Sequence, residues 1–158
     1  MKTKEHHIII DSPLGHLMLC EAEGALTHCN WSQKSLECNL KTDILLETER
    51  QLLQYFSGQR QSFELPLAPQ GTPFQKSVWQ ALRAIPFGST HSYQDIARTI
   101  GNEKAVRAVG LANSKNPISI IIPCHRVIRA SGYLGGYAGG LECKKFLLAL
   151  EASHTQSE

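Results

Sequence analysis

The sequence predicts a mixed α/β (α+β) protein of two unlike halves, a small one with antiparallel strands and a mostly helical one. Three observations carry that expectation. The opening residues alternate short apolar runs with turn chemistry, as a strand meander does. Pro66, Pro69, Gly71 and Pro73 crowd into one short stretch, the densest chain punctuation in the sequence. Two helix-start signatures then follow, Thr72-Pro73-Phe74-Gln75 and Ser92-Tyr93-Gln94-Asp95. The boundary falls after residue 70, giving a supporting domain over 1–70 and a second domain over 71–158.

Taken in order, residues 6–10 form a strand that stops at Asp11-Ser12-Pro13-Leu14-Gly15, a turn sequence. Residues 16–21 form the second strand, Glu23-Gly24 breaks it, and residues 25–31 form the third. Leu45, Leu46, Leu52, Leu53 and Phe56 recur at helical spacing over 43–57, with Gly58 where a terminating glycine belongs. Phe63-Glu64-Leu65 reads as one more strand. In the second domain Phe74, Val78, Trp79 and Leu82 give one helix its apolar face, up to Ile85-Pro86. The helix opening at Ser92 buries Ile96, Ala97 and Ile100 and ends at Gly101. Asn102 then caps another over 103–112. Residues 118–122, Ile-Ser-Ile-Ile-Ile, are the most strand-like run in the chain. The last residues, from Ala152, read as disordered.

Composition excludes several classes. Of 158 residues, 42% are hydrophobic and 19% charged, which suits a soluble globular protein. No apolar run approaches the about 18 residues that span a bilayer. The N-terminus leads into only Ile8, Ile9 and Ile10, too short for a signal-peptide core. A cytoplasmic location is expected. The net charge of +2 permits a nucleic-acid partner without requiring one. Five cysteines, at 20, 29, 38, 124 and 143, form no Cys-x-x-Cys pair, which argues against a zinc ribbon or a thioredoxin-type site. In a reducing compartment they are free thiols.

Two segments carry chemistry. Two helices joined through Gly101 match a helix-turn-helix, whose second helix enters a DNA groove. They equally match an ordinary helical hairpin in a core. The second helix offers the small residues Ala105, Ala108 and Gly110 with Arg107 among them. Such a face suits close approach to a narrow groove better than base reading in a wide one. The other segment is Pro123-Cys124-His125-Arg126-Val127, delivered at the end of the isoleucine run. Neighbours on an extended chain point to opposite faces, so His125 reaches Cys124 through a water rather than directly. It then needs a carboxylate behind the imidazole to fix its tautomer.

Pro123-Cys124-His125-Arg126-Val127 resembles the signature of the O6-methylguanine-DNA methyltransferases, in the form of the bacterial Ogt-type proteins. The likeness extends over about residues 72–151. It includes Ile85-Pro86-Phe87-Gly88, Ser92-Tyr93, Gly101-Asn102, the 104–110 stretch, Asn113, Asn116-Pro117, Gly139-Gly140-Leu141 and Lys144. In the first half it rests chiefly on residues 11–15.

The resemblance implies a repair protein with a helix-turn-helix, winged-helix-like second domain that binds DNA and accepts the alkyl group. Cys124 matches the acceptor, taking the group irreversibly from O6-alkylguanine, and from O4-alkylthymine as a second lesion, in one turnover. His125 matches the residue that takes the thiol proton through water, and Glu151, on a terminal helix starting near Gly140, its carboxylate partner. Asn116 matches the brace of the active-site turn, and Tyr93 the phenol that serves the departing base. Arg107 matches the finger that replaces a flipped nucleotide from the minor groove, with Ala105, Ala108 and Gly110 against the groove. Lys104 and Arg126, with Lys115 nearby, are the expected phosphate contacts. The glycine-rich loop over 131–140 matches the cover of the flipped base, with Tyr137, Ala138 and Gly139 in the pocket.

Leu111 departs from the pattern, standing where many members have glycine, and Ala138 stands where some have serine. Some relatives hold zinc through N-terminal Cys and His residues. Here Cys20, Cys29 and His28 lie in that half without a matching histidine near the linker, so no metal and no cofactor is expected. The expected partner is duplex DNA carrying O6-alkylguanine, with no membrane and no obligate protein partner, the protein acting as a monomer. Cys124 argues against the non-catalytic alkyltransferase-like proteins, which carry another residue there. Chain length and the 123–127 segment argue against a helix-turn-helix regulator. A Cys-His hydrolase lacks an oxyanion-hole motif and a distant histidine.

Overall fold

The computed structural model describes residues 5–32 and 41–155 and divides the chain into two compact units, residues 1–70 and 71–158. Cys38 and residues 156–158 of the tail expected to be disordered lie outside the described residues.

The first unit is an antiparallel sheet in the order β1 (Glu5–Ser12), β2 (Gly15–Ala22), β3 (Ala25–Trp31), with one helix, α1 (Asp43–Phe56), packed on all three strands. Its turns form as the sequence predicts. Ser12 Oγ accepts from Leu14 N at 3.1 Å, and Glu23 and Gly24 take φ of +54° and +82°, the twisted two-residue hairpin geometry. In α1 the inward residues are Leu45, Thr48, Gln51, Leu52 and Tyr55, whereas Leu46 and Leu53 are exposed. The apolar period is right but its centre is rotated by about one residue. Two polar groups make that possible. Thr48 Oγ1 donates to Ile44 O at 2.7 Å, and Gln51 both donates to and accepts from the Glu64 main chain, at 3.2 and 2.9 Å. Residues 63–65 form no strand; the main chain instead meets β3 farther on, through a parallel bridge between Leu26 and Leu67.

The second unit holds α2 (Pro73–Arg83), α3 (Tyr93–Thr99), α4 (Val106–Ser114) and α5 (Leu141–Thr155), with a two-strand parallel ladder of β4 (His91–Ser92) and β5 (Val127–Ile128). Both expected capping boxes form, Thr72 with Gln75 and Ser92 with Asp95. α4 packs against α2 and α3, and Trp79 Nε1 donates to Ala112 O at 2.9 Å, tying α2 to α4. Gly71 is fixed by that tryptophan, since a Cβ there would stand 2.5 Å from the indole ring.

Three expectations are corrected. α4 starts at Val106, not Glu103, and Asn102 does not cap it. Ala105 N bonds Asn102 O in a tight turn, and the α ladder begins only with Val109 N to Ala105 O. α5 runs to Thr155 rather than fraying from Ala152, because Glu151 is buried within it. Residues 118–122 are no strand. Ile121 N bonds Ser119 O and Ile122 N bonds Ile118 O, with Ile120 at φ +72°. β-branched residues fit any buried surface, so their enrichment did not require a ladder here. Asn116 supplies what a neighbouring strand would have. Its Nδ2 donates to Ile122 O at 2.8 Å and its Oδ1 accepts from Ile118 N at 3.0 Å.

Candidate active site

Cys124 leaves this turn as the first residue of a single 3-10 turn, Cys124–Arg126, and is buried. Asn116, expected to brace the active-site turn, makes the two hydrogen bonds just given. A β-branched residue at positive φ is strained, and that strain persists only where the surroundings enforce it. Four buried isoleucine and serine neighbours and Asn116 enforce it here.

His125 and Glu151 meet as the sequence reading requires, Nε2 to Oε2 at 2.7 Å, both fully buried. Burial alone would raise the Glu151 carboxyl, but the hydrogen bonds and charges of His125 and Arg126 outweigh it and hold it at about 2. Glu151 is therefore an anion, so Nε2 of His125 carries the proton it donates. Nδ1 is then the basic nitrogen, and it makes no hydrogen bond to the described residues. Burial also lowers the His125 pKa, against the pull of Glu151, which keeps the ring neutral near neutrality. The Cys124 thiol is pushed up by burial, with Asn116, the Lys144 charge and Ser119 opposing that rise.

Arg126, expected on a phosphate, is instead buried. It is 6% exposed, clamps Glu151 through Nε (2.8 Å) and Nη2 (2.9 Å), and donates from Nη1 to Ile85 O at 2.7 Å. Its guanidinium lies 5.7 Å from the Phe87 ring centre, and Gly88 N also donates to Glu151, at 3.3 Å. The Ile-Pro-Phe-Gly segment, visible in sequence only as a family-like stretch, thus forms the floor under the carboxylate. A forked arginine is the geometry that holds a buried carboxylate, and no spacing rule links residues 126 and 151.

Tyr93 opens α3 directly after β4, whose pairing with β5 (His91 with Val127, Ser92 with Ile128) brings it beside the exit of the Cys124 turn. Burial raises its phenol pKa, partly offset by Arg129, so it stays a neutral donor. Its ring edge lies 3.8 Å from where a Cβ on Gly110 would stand, and its hydroxyl 3.1 Å from one on Gly135, which sits at φ +76°. Glycines on both sides admit the phenol. A cleft of about 510 Å³ opens there, lined by Tyr93, Arg107, Gly110, Arg129, Gly135 and Gly136 among others.

Arg107, Ala108 and Leu111 are exposed on α4, Lys104 is exposed in the turn before it, and Ala105 stands at its N-cap. Lys115 is exposed at its far end. Of the pocket residues expected from sequence, Tyr137, Ala138 and Gly139 do not line the cleft; Gly135 and Gly136 take that place. Tyr137 instead stands edge-on to His125, ring centres 6.4 Å apart. The sequence reading missed Arg129 and Lys144 as site residues. A lysine at a position of helical burial within α5 was the available signal for the second.

In the first unit Glu5, Cys20 and His28 bring one oxygen, one sulfur and one nitrogen within 4.8 Å of one another. Cys29, grouped with Cys20 and His28 in the sequence reading, follows His28 on β3 and faces the other side, and Glu5 stands in its place. Burial and the Glu5 charge push the Cys20 thiol up to about 11, and Thr27 Oγ1 donates to Glu5 at 3.1 Å. A structural zinc takes four protein ligands; the described residues gather three here.

Family models for both parts of the 6-O-methylguanine DNA methyltransferases match, the DNA binding domain over residues 73–153 and the ribonuclease-like domain over 6–69. A methylated-DNA--protein-cysteine methyltransferase of Methanosarcina acetivorans is 49% identical over 94% of this chain and 99% of its own length. The constitutive one of Bacillus subtilis is 44% identical over 92% of this chain and 94% of its own. The crystal structure of the Mycobacterium tuberculosis O6-methylguanine methyltransferase superposes with a TM-score of 0.89 at 43% identity, covering 98% of this chain and 97% of that one. A DNA complex of the Mycobacterium tuberculosis protein matches at 0.84 and 46%, covering 92% of each chain. The chain belongs to the 6-O-methylguanine DNA methyltransferase family.

Proposed function

We propose that this protein repairs duplex DNA by transferring the alkyl group of O6-alkylguanine, and of O4-alkylthymine, to Cys124, once per molecule. The observation that carries this reading is the buried pair that Glu151 of α5 makes with His125, the residue after Cys124 on its turn. Glu151 orients the ring so that Nδ1 takes the thiol proton through a water. The sulfur then attacks the alkyl carbon, the carbon–O6 bond breaks, and its electron pair goes to the base. The departing base is a poor anion unless a donor meets it. Tyr93, a neutral phenol at the cleft, supplies that hydrogen bond.

The lesion lies inside the duplex, so the nucleotide is flipped into the cleft between Tyr93 and Gly135–Gly136. Arg107 fills the gap, and Ala105, Ala108 and Gly110 let α4 approach the minor groove, with Lys104 and Lys115 on phosphates. No helix among the described residues is long and apolar enough to cross a membrane. A cytoplasmic protein acting as a monomer, without cofactor or obligate protein partner, fits this chemistry. Intact mass after mixing with a duplex carrying O6-methylguanine tests it. One added methyl on the Cys124 peptide is expected; an unmodified chain beside unrepaired DNA overturns the reading.

A further inference from the structure

Lys144 carries an ammonium that is fully buried, and none of the roles above uses it. It lies in the first turn of α5, where a positive charge opposes the helix dipole. Its Nζ donates to Val127 O at 2.7 Å, to Leu134 O, and to Gly136 O at 3.5 Å, all main-chain carbonyls. Burying a charge against carbonyls alone is costly, and an apolar side chain of similar length would avoid the cost. The positions of the three carbonyls show what the charge holds together. Val127 is the residue after the turn that bears Cys124, while Leu134 and Gly136 flank Gly135, against which the Tyr93 hydroxyl packs. One ammonium therefore joins the nucleophile's turn to the segment that lines the cleft.

The titratable and charged groups on the elements around Cys124 are Tyr93 of α3, His125 and Arg126 of its own turn, Arg129 just after β5, and Glu151 and Lys144 of α5; among them Lys144 is the charge that acts on the thiol. Arg126 is neutralised by Glu151, and His125 is held neutral. The Lys144 charge is left to act on the thiol. The coupling runs both ways: Lys144 pulls the thiol pKa down against burial, and the thiolate favours charged Lys144 against its own burial.

We propose that Lys144 is a positioning residue for alkyl transfer: its ammonium clamps residues 134–136 to the turn bearing Cys124 and supplies the positive charge against which the thiolate forms. This rests on Cys124 being the alkyl acceptor. The test compares Lys144→Gln and Lys144→Arg in the full chain, after thermal melting confirms folding. Methyl iodide serves as a probe of thiolate formation that needs no DNA, read as mass on the Cys124 peptide across pH, alongside repair of an O6-methylguanine duplex.

For Lys144→Gln, methylation is expected to be about tenfold slower near neutral pH, the loss that one unit of thiol pKa produces, and to recover as pH rises. Lys144→Arg should keep most of the rate. An unchanged profile in Lys144→Gln, or equal losses in both variants, overturns the proposal. If Lys144→Gln does not fold, the Nζ resonance of the unsubstituted protein decides. Its shift should follow Cys124 ionisation and lose that step in Cys124→Ser; a signal indifferent to Cys124 overturns the clamp. Expected methyl iodide profiles beside no duplex repair, even without substitution, would sink the repair reading while leaving standing only the effect of Lys144 on the Cys124 thiolate.

Discussion

Glu151 receives His125 on one oxygen and Arg126 on both, and these partners do different work. The arginine holds the carboxylate charged; the histidine inherits a fixed tautomer from it. Removing the arginine leaves a buried anion short of its counter-charge, which typically costs about 3–5 kcal/mol. Arg126→Ala should therefore lower the melting temperature sharply, while the salt dependence of DNA binding in whatever protein stays folded is unchanged. A well-folded Arg126→Ala with weaker, less salt-sensitive binding would return the residue to the phosphate-contacting role that its sequence position suggested. The Glu151 carboxyl is depressed from its ordinary 4.5 to about 2. A depressed acid contributes stability that is fully present above its unfolded value and is lost as pH falls through its folded one. Acid unfolding should steepen between pH 4.5 and about 2, and Glu151→Gln should flatten that part of the curve. Kinetically, His125→Ala and Glu151→Gln should each slow alkyl transfer, with the loss shrinking as pH approaches the thiol's own ionisation. A defect of constant size across pH would make both residues merely structural.

At the scale of elements, α4 and the Cys124 turn show what pattern reading reaches and where it stops. Capping boxes at Thr72 and Ser92, the Gly58 and Gly101 stops and the Glu23-Gly24 hairpin were legible because each is a local device. The turn at 118–122 was not. Its isoleucines satisfy a strand pattern, and only the long-range hydrogen bonds of Asn116 with the Ile118 and Ile122 main chain select the turn. The Arg126–Glu151 fork and the Lys144 carbonyl cluster were hidden for the same reason, as tertiary pairs without a fixed spacing. The proposed set of Cys124, His125 and Glu151 was legible through the resemblance, and the need for a remote carboxylate already followed from the tautomer argument. For α4, Arg107→Ala should slow repair of duplex DNA far more than dealkylation of free O6-benzylguanine, which needs no flipping. Equal losses on both substrates would refute the finger role. Gly135→Ala should impair both substrates, because its Cβ would stand 3.1 Å from the Tyr93 hydroxyl at an already left-handed φ of +76°.

For the whole molecule, the arrangement implies an acceptor that cannot be restored. The thioether formed on Cys124 has no leaving group that water displaces at a useful rate. Cys143 lies half-buried on α5, beyond the glycine loop. The added methyl must fit a packed, buried site, which typically costs about 1–3 kcal/mol. The alkylated protein should accordingly melt at a lower temperature than the free one, measured on the same preparation before and after reaction. The most direct measurement is a set of time courses at several ratios of protein to O6-methylguanine duplex, followed to completion. Lesions cleared should equal protein molecules present at every ratio below one, with each methyl on the Cys124 peptide. Any ratio at which more lesions disappear than there are protein molecules would contradict transfer to Cys124 as a terminal step.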